Sequence, residues 1–149
     1  MLKNRLKDPS LLAELAYVDG QWIGADDGAT LDVIDPASGE LLARVPAMQG
    51  GETRRAIEAA DKAWPAWRAR PAAERATLLE RWYQAMIDNL DDLALIMTCE
   101  QGKPLNEARG EVRYGAFAGG QPYVATIEPM HGHELVIYTP PSDGPKNGP

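Results

Sequence analysis

Residues 16–46 contain stretches that alternate apolar and polar residues at a period of two, a pattern that predicts β-strands. Two apolar pairs flank Asp19-Gly20, a dipeptide that favours the positive φ angles of a tight hairpin turn. Two further strands are predicted on either side of residues 35–39, where Pro36 fixes one φ angle and Gly39 permits the reversal. We therefore expect short strands joined by turns in this region.

From Gly51 the apolar residues recur every three or four positions, which predicts helices. Pro65 is expected to end or kink the first helix near Trp64, because proline lacks the N–H that continues the hydrogen-bond pattern. A second helix is predicted to open at Pro71, in its first turn, where a missing N–H costs little. Its apolar stripe comprises Leu79, Trp82, Tyr83, Met86, Ile87 and Leu90.

Asn89 followed by Asp92 resembles a capping pair and predicts that the helix restarts at this point. Gly102-Lys103-Pro104 is expected to stop it. A last helix is predicted with one apolar face, made of Leu105, Ala108, Val112 and Ala116.

The helical period fails after Phe117, and the remaining residues are rich in glycine and proline. The predicted fold class is therefore α+β: short N-terminal strands packed with three or four helices, followed by an irregular tail. We divide the chain into residues 1–117 and a poorly ordered segment, residues 118–149.

The charge of the chain narrows the choice of partners. It has 149 residues and a formal net charge of −7, with 22 acidic and 15 basic side chains. Nucleic acid and anionic membrane are unfavourable partners for such a surface, because both require a basic face. The chain has one cysteine, no long apolar run and no secretory signal pattern, so we expect a soluble, cytoplasmic protein.

Several short segments carry a resemblance to a known family: AYVDGQW at 16–22, LDVIDPASGELLARVP at 31–46 and CEQGKP at 99–104. They resemble the NAD(P)-dependent aldehyde dehydrogenases, and the opening LKDPSLLAELAYVDGQW resembles the succinate-semialdehyde branch. The resemblance runs from about residue 6 to residue 117 and covers only the first part of a family member. It implies an α/β fold when complete, in which these helices cover a parallel dinucleotide-binding sheet.

The activity that the resemblance implies is oxidation of an aldehyde, here succinate semialdehyde, to the carboxylic acid. A cysteine thiolate attacks the carbonyl, and the resulting thiohemiacetal passes hydride to NAD or NADP. The family's nucleophile, oxyanion asparagine, general-base glutamate and cofactor-binding lysine all belong to segments outside this sequence. We therefore assign no catalytic, cofactor-binding or metal-binding residue, and expect no cofactor on this chain alone.

Cys99 is the one nucleophile candidate, and the structural role is preferred for it. Its neighbour Glu100 would raise a thiol pKa, whereas catalysis requires a lowered one, and free cysteine commonly behaves as a small buried apolar residue. A phosphate-binding GxGxxG loop is also missing, because Gly115 and Gly119-Gly120 have the wrong spacing.

Three weaker candidates for binding residues remain in the sequence. Lys103 occupies a family position but is expected to be a solvated charge at a helix end rather than a substrate contact. His131 and His133, beside Glu134, could offer ligands to a metal, but a pair in a flexible tail is a poor cage. The resemblance also places Glu100 and the carbonyls near Val33 and Ile34 at positions where some family members hold a structural monovalent cation. We assign no metal site to the histidine pair or to Glu100.

The tryptophans allow two interpretations. Trp64, Trp67 and Trp82 could stack on nucleotide rings, but their helical spacing favours burial in a core or a domain interface. Trp22 lies in the predicted hairpin and is interpreted in the same way.

Two hypotheses about function follow. In the first, the chain is the N-terminal part of an aldehyde dehydrogenase, shortened by truncation, frameshift or pseudogene decay, and it is inactive alone. In the second, it is a non-catalytic module that pairs with a full-length relative through its helical face. The first is favoured, and self-association through exposed apolar residues is expected in either case.

Overall fold

Ten regular elements and two short 3-10 helices make up the part of the chain that the structure describes. The structure is a computed structural model, and it describes residues 1–120, 126–129 and 135–138. The 3-10 helices span Leu2–Arg5 and Pro9–Leu11. The strands and helices are β1 (Ala16–Val18), β2 (Gln21–Ile23), β3 (Thr30–Ile34), β4 (Leu41–Pro46), α1 (Gly50–Ala69), α2 (Ala72–Asp88), α3 (Leu90–Gln101), α4 (Leu105–Gly120), β5 (Thr126–Pro129) and β6 (Leu135–Tyr138).

The first hairpin confirms the prediction from Asp19-Gly20. Strands β1 and β2 pair antiparallel, and φ is 49° at Asp19 and 79° at Gly20. Both angles lie in the left-handed region that this turn requires. Tyr17 lies opposite Trp22, with ring centroids 5.2 Å apart.

The second predicted reversal is also confirmed. Strands β3 and β4 pair antiparallel around residues 35–39. The Asp35 carboxylate accepts the backbone N–H of Ala37 at 2.8 Å, and Gly39 has a φ of 73°. The turn is thus stabilised by an aspartate and a left-handed glycine, as its sequence indicates.

Helix α1 begins with a capping box and continues further than predicted. The Gln49 N–H donates to the Glu52 carboxylate at 3.0 Å, which satisfies one of the free donors at the start of the helix. The first alternative, an end of the helix near Trp64, is wrong, because α1 passes through Pro65 to Ala69, while the second alternative, a kink at Pro65, stays a prediction. Proline removes one backbone bond, while the alanine, lysine and arginine residues on either side favour the helix.

A single residue, Asn89, separates α2 from α3, so the predicted restart of the helix is confirmed. The predicted capping bond is wrong. The Asn89 amide donates back to the Ala85 carbonyl at 2.8 Å. The Asp92 carboxylate instead accepts the backbone N–H groups of Lys7 and Asp8.

The predicted end of α3 and the predicted face of α4 are both confirmed. Gly102 terminates α3 with a φ of 72°. On α4, Ala108, Val112 and Ala116 are buried and Leu105 is half-buried.

Two clusters of buried apolar residues hold the described part together. The N-terminal cluster joins the first residues of the chain to β4 and α3, and consists of Leu2, Leu6, Leu12, Ala43 and Cys99. The helical cluster joins α3 to α4 and consists of Ala94, Ala108 and Val112, with Leu90, Leu93, Met97 and Leu105 packed around it.

The segment predicted to be an irregular tail contains two described strands. Strands β5 and β6 pair antiparallel, with Ile127 opposite Ile137. The boundary between residues 117 and 118 stays a prediction. Within the described residues, none of the helices has the length and apolar character needed to cross a membrane.

Candidate functional site

Cys99 is buried in the N-terminal cluster, with 5% of its surface exposed. Its Sγ accepts a hydrogen bond from Arg5 Nη1 at 3.4 Å. Val33, Leu42, Leu95 and Ile96 pack against the same cluster. The burial predicted for this residue is therefore observed, and its lack of a catalytic role stays a prediction.

Glu100 follows Cys99 in the sequence, but it lies at the surface of the structure. Partial burial raises its pKa above the ordinary value, so its charged form is less favoured than that of a free glutamate. Among the described residues, His, Cys, Asp and Glu form no group of three or more that could hold a metal ion.

Lys103 follows the end of α3, as predicted, but it is not a freely solvated charge. Its ammonium pairs with the Glu111 carboxylate of α4, and only 25% of the lysine side chain is exposed. The contact joins the loop after α3 to the next helix. The other candidate ligands, His131, His133 and Glu134, lie outside the described residues.

The burial of Asp92, which the sequence suggests as part of a capping pair, is not predicted by the sequence analysis. It is 5% exposed, and its two carboxylate oxygens accept the backbone N–H groups of Lys7 at 3.1 Å and Asp8 at 2.8 Å. These partners precede Asp92 by more than 80 positions. No local sequence pattern predicts a contact between residues so far apart in the sequence.

Glu52 is the second buried carboxylate that was missed, and here a local signal exists. It is 4% exposed and accepts the N–H of Asp26 at 3.0 Å as well as that of Gln49. The hydrogen bond from Asp26 is the largest cause that holds the Glu52 pKa below its ordinary value, and the bond from Gln49 adds to it. A glutamate at the third position of a helix is the signal that could have identified it.

The dinucleotide that the resemblance implies does not fit the described residues. A phosphate needs a free helix N-terminus preceded by a strand and a glycine turn. Helix α1 follows strand β4, but two N–H groups at its start are already bound: the Glu52 carboxylate accepts the Gln49 N–H, and the Gln49 side chain accepts the backbone N–H of Glu52. We therefore derive no step of a reaction from a cofactor bound here.

Helices α1 and α2 carry large apolar side chains at the surface. Trp64 on α1 is 48% exposed and Trp82 on α2 is 47% exposed. Ile57 on α1 and Leu78 on α2 are exposed as well. The interpretation of Trp64 and Trp82 as core residues is therefore wrong, whereas the interpretation as interface residues stays a prediction. The remaining apolar stripe of α2 is half-buried, and Met86 approaches Gly115 of α4.

Trp67 and Trp22 have different surroundings. Trp67 is half-buried, while Trp22 is exposed and covered on one side by Tyr17. We name Ile57, Trp64, Leu78 and Trp82 together the exposed helical residues.

Comparison with known proteins places these features in a family. The profile described as the aldehyde dehydrogenase family matches residues 22–140, so the match extends beyond the residue 117 given by the sequence resemblance. A glutarate-semialdehyde dehydrogenase of Pseudomonas aeruginosa is 60% identical over 112 residues, which are 75% of this chain and 23% of that protein. The NADP(+)-dependent succinate-semialdehyde dehydrogenase of Escherichia coli is 50% identical over 112 residues, again 75% of this chain and 23% of that protein.

The fold agrees with solved structures over the same region. An aldehyde dehydrogenase from Brucella melitensis biovar abortus 2308 superposes with a TM-score of 0.75 at 50% identity, over 77% of this chain and 24% of that one. A succinate-semialdehyde dehydrogenase from Burkholderia pseudomallei superposes with a TM-score of 0.71 at 49% identity, over 84% and 27%. The chain spans about a quarter of the length of these proteins, and over that span it belongs to the aldehyde dehydrogenase family.

Proposed function

We propose that this chain is the N-terminal structural part of an NAD(P)-dependent dehydrogenase that oxidises the semialdehyde of a dicarboxylic acid. The observation that carries this proposal is the 60% identity over 112 residues to an enzyme named for glutarate semialdehyde. Enzymes named for succinate semialdehyde follow at 50% identity and below. Both substrates are short chains with an aldehyde at one end and a carboxylate at the other.

In this proposal the chain supplies structure rather than chemistry. The complete reaction would use a cysteine nucleophile and hydride transfer to NAD or NADP, and the residues for both steps belong to other segments of the family. The hairpins, the N-terminal cluster and the pair of helices α3 and α4 form a unit that positions the surfaces of α1 and α2. We place the protein in the cytoplasm, in keeping with its single cysteine.

The exposed helical residues support a structural role with a partner. Two half-exposed tryptophans on neighbouring helices are costly for an isolated protein and usual at an interface. We propose that they pack against the remainder of a complete family fold. The second candidate, a module that pairs with a full-length relative through the same helices, is supported by the same exposure.

A chimera tests the main proposal. Residues 6–117 of this chain would replace the matching segment of the Pseudomonas aeruginosa glutarate-semialdehyde dehydrogenase, and NAD(P)H formation would be followed with glutarate and succinate semialdehydes. The account expects a folded chimera with kcat/KM close to that of the parent. A soluble, folded chimera without activity would contradict it.

The isolated chain provides the complementary test. We expect no reduction of NAD or NADP with either semialdehyde. Saturable turnover that disappears in a Cys99→Ala variant would contradict this expectation. Stoichiometric capture of a full-length relative from lysate, lost on exchanging Trp64 and Trp82 for serine, would instead favour the pairing module.

A further inference from the structure

Two aspartate–glycine dipeptides lie in turns of the N-terminal region. Asp19-Gly20 forms the turn between β1 and β2, and Asp27-Gly28 lies in the loop before β3. All four residues are exposed. Both glycines have positive φ angles, 79° and 72°, and a β-carbon added to either would meet no atom closer than 4.0 Å apart from its chain neighbours. The two dipeptides therefore present the same chemical groups with similar steric freedom.

Hydrogen bonds hold both the carboxylate and the following amide of Asp27-Gly28. The Asp27 carboxylate accepts the backbone N–H of Ala29 at 2.8 Å. The Gly28 N–H donates to the carbonyl of Ala25 at 2.9 Å. A reaction between this carboxyl group and this nitrogen must first break both bonds, and the bond to the charged carboxylate is the stronger one.

The corresponding groups of Asp19-Gly20 are not held in this way. Within the part of the chain that the structure describes, neither the Asp19 carboxylate nor the Gly20 N–H takes part in a hydrogen bond or an ion pair. The geometry of the turn explains the difference for the amide. The strand pairing ends at Val18 and Gln21, so the amide between the two central residues of the turn lies outside the ladder.

We propose that Asp19 is a site of spontaneous isomerisation to isoaspartate, and that its hydrogen bonds protect Asp27 from the same reaction. The Gly20 nitrogen forms a bond to Cγ of the protonated Asp19 carboxyl group and loses its proton, while one carboxyl oxygen leaves as water. Glycine favours this step because it has no side chain to hinder the attack.

The product of the first step is a five-membered succinimide ring, which a water molecule opens. Cleavage between the main-chain carbonyl carbon of residue 19 and the Gly20 nitrogen leaves the chain running through the side-chain carbon. The former main-chain carbonyl becomes a free carboxylate. One water leaves and one enters, so no atom is gained or lost overall, and neither an oxidant nor a reductant is needed.

Isomerisation would disrupt the hairpin, because it adds one carbon to the backbone of the turn. A two-residue turn of this kind requires positive φ at both central residues, and here the angles are 49° and 79°. The longer backbone should therefore break the pairing of Val18 with Gln21. It should also separate Tyr17 from Trp22, whose ring centroids are 5.2 Å apart.

The test compares the two dipeptides within the unaltered full chain. The protein would be kept at neutral pH and physiological temperature, and isoaspartate would be located by enzymatic methylation of its free carboxylate, digestion and mass spectrometry. We expect isoaspartate to form at Asp19 at least about tenfold faster than at Asp27, because two hydrogen bonds must open at Asp27. An equal rate at both positions, or a faster one at Asp27, would overturn the proposal.

A denaturant control separates the effect of structure from that of the neighbouring residues. In guanidinium chloride both dipeptides lose their hydrogen bonds, so the two rates should agree within about threefold. A preference for Asp19 that persists undiminished in the unfolded chain would show that the hydrogen bonds are not its cause. A folded chain that forms no isoaspartate at Asp19, although the unfolded chain does, would equally contradict the proposal.

The variant Asp19→Glu is the matched substitution, since it keeps the charge but would require a six-membered ring, which closes much more slowly. We expect the peptide that contains residue 19 to lose its isoaspartyl product. The rate at Asp27 should stay within about twofold of its value in the unaltered chain, because the two turns share no hydrogen bond. Methylation of the residue 19 peptide that continues in this variant would contradict the assignment.

Discussion

Helices α3 and α1 differ in how much of their surface the described chain covers. Helix α3 has 12 residues, of which Asp92, Ala94 and Cys99 are buried. Helix α1 has 20 residues and buries only Glu52, at its first turn. The shorter helix lies between residues 1–12 on one side and α4 on the other, while the longer one has no such cover among the described elements.

The difference shows that an apolar stripe predicts where a helix can pack, but not what it packs against. The stripe of α4 finds α3 within the chain, whereas Trp64 of α1 stays half-exposed. In our account the exposed apolar side chains of α1 and α2 pack against a surface that lies outside the described residues. Equivalent substitutions in the packed and the exposed regions should therefore have unequal effects.

The largest difference is expected when aspartate replaces an apolar residue. Ala94 is fully buried in the helical cluster, so Ala94→Asp would place a charge without a partner between α3 and α4. We expect a loss of more than about 4 kcal/mol in the free energy of unfolding, measured by urea denaturation. Ile57→Asp on α1, where the side chain is 64% exposed, should change it by about 0.5 kcal/mol or less. Similar losses at both positions would mean that α1 is packed in solution.

A smaller contrast is expected for leucine to alanine changes in the N-terminal half. Leu6 is buried in the N-terminal cluster, and Leu6→Ala should cost about 2–5 kcal/mol of unfolding free energy through lost burial and a cavity. Leu31 on β3 is exposed, and Leu31→Ala should cost under about 1 kcal/mol. Thermal or urea unfolding followed by circular dichroism measures both, and a loss for Leu6→Ala as small as that for Leu31→Ala would mean that Leu6 is not packed in solution.

The smallest effect concerns pH and the one buried side chain of α1. Because the folded-state pKa of Glu52 lies below its ordinary value, the carboxylate contributes stability above pH about 4.5, and this contribution is lost as pH falls through the folded pKa. A Glu52→Gln variant should therefore be less stable than the unaltered chain near neutral pH. The gap should narrow as pH falls below about 4.5 and through the folded-state pKa, and a gap that stays constant as the pH is lowered would contradict the assignment.

The features that the sequence predicts well are those determined by neighbouring residues. The Asp19-Gly20 turn, the end of α3 at Gly102 and the buried face of α4 each depend on residues within one turn or one helix. The resemblance to the family also depends on such local segments, and its profile match supports it.

The features that the sequence did not predict depend on distant contacts. Asp92 was interpreted as a local cap because its true partners, Lys7 and Asp8, lie more than 80 residues earlier. The burial of Leu2 and Leu6 has the same origin, since no helical or strand period connects them to Cys99. Helix α1 does not end at Pro65, because the helix formers around this residue outweigh one missing hydrogen bond.

The central claim is that α1 and α2 present apolar side chains which the rest of the family fold covers. Oxidative footprinting of Trp82 by hydroxyl radicals measures this directly, in the isolated chain and in the chimera with the Pseudomonas aeruginosa enzyme. The account predicts rapid oxidation of Trp82 in the isolated chain and strong protection in the chimera. Equal protection in both proteins would mean that the chain covers its own helices. Equal oxidation in both would mean that these helices face solvent in the complete enzyme. Either result would contradict the claim.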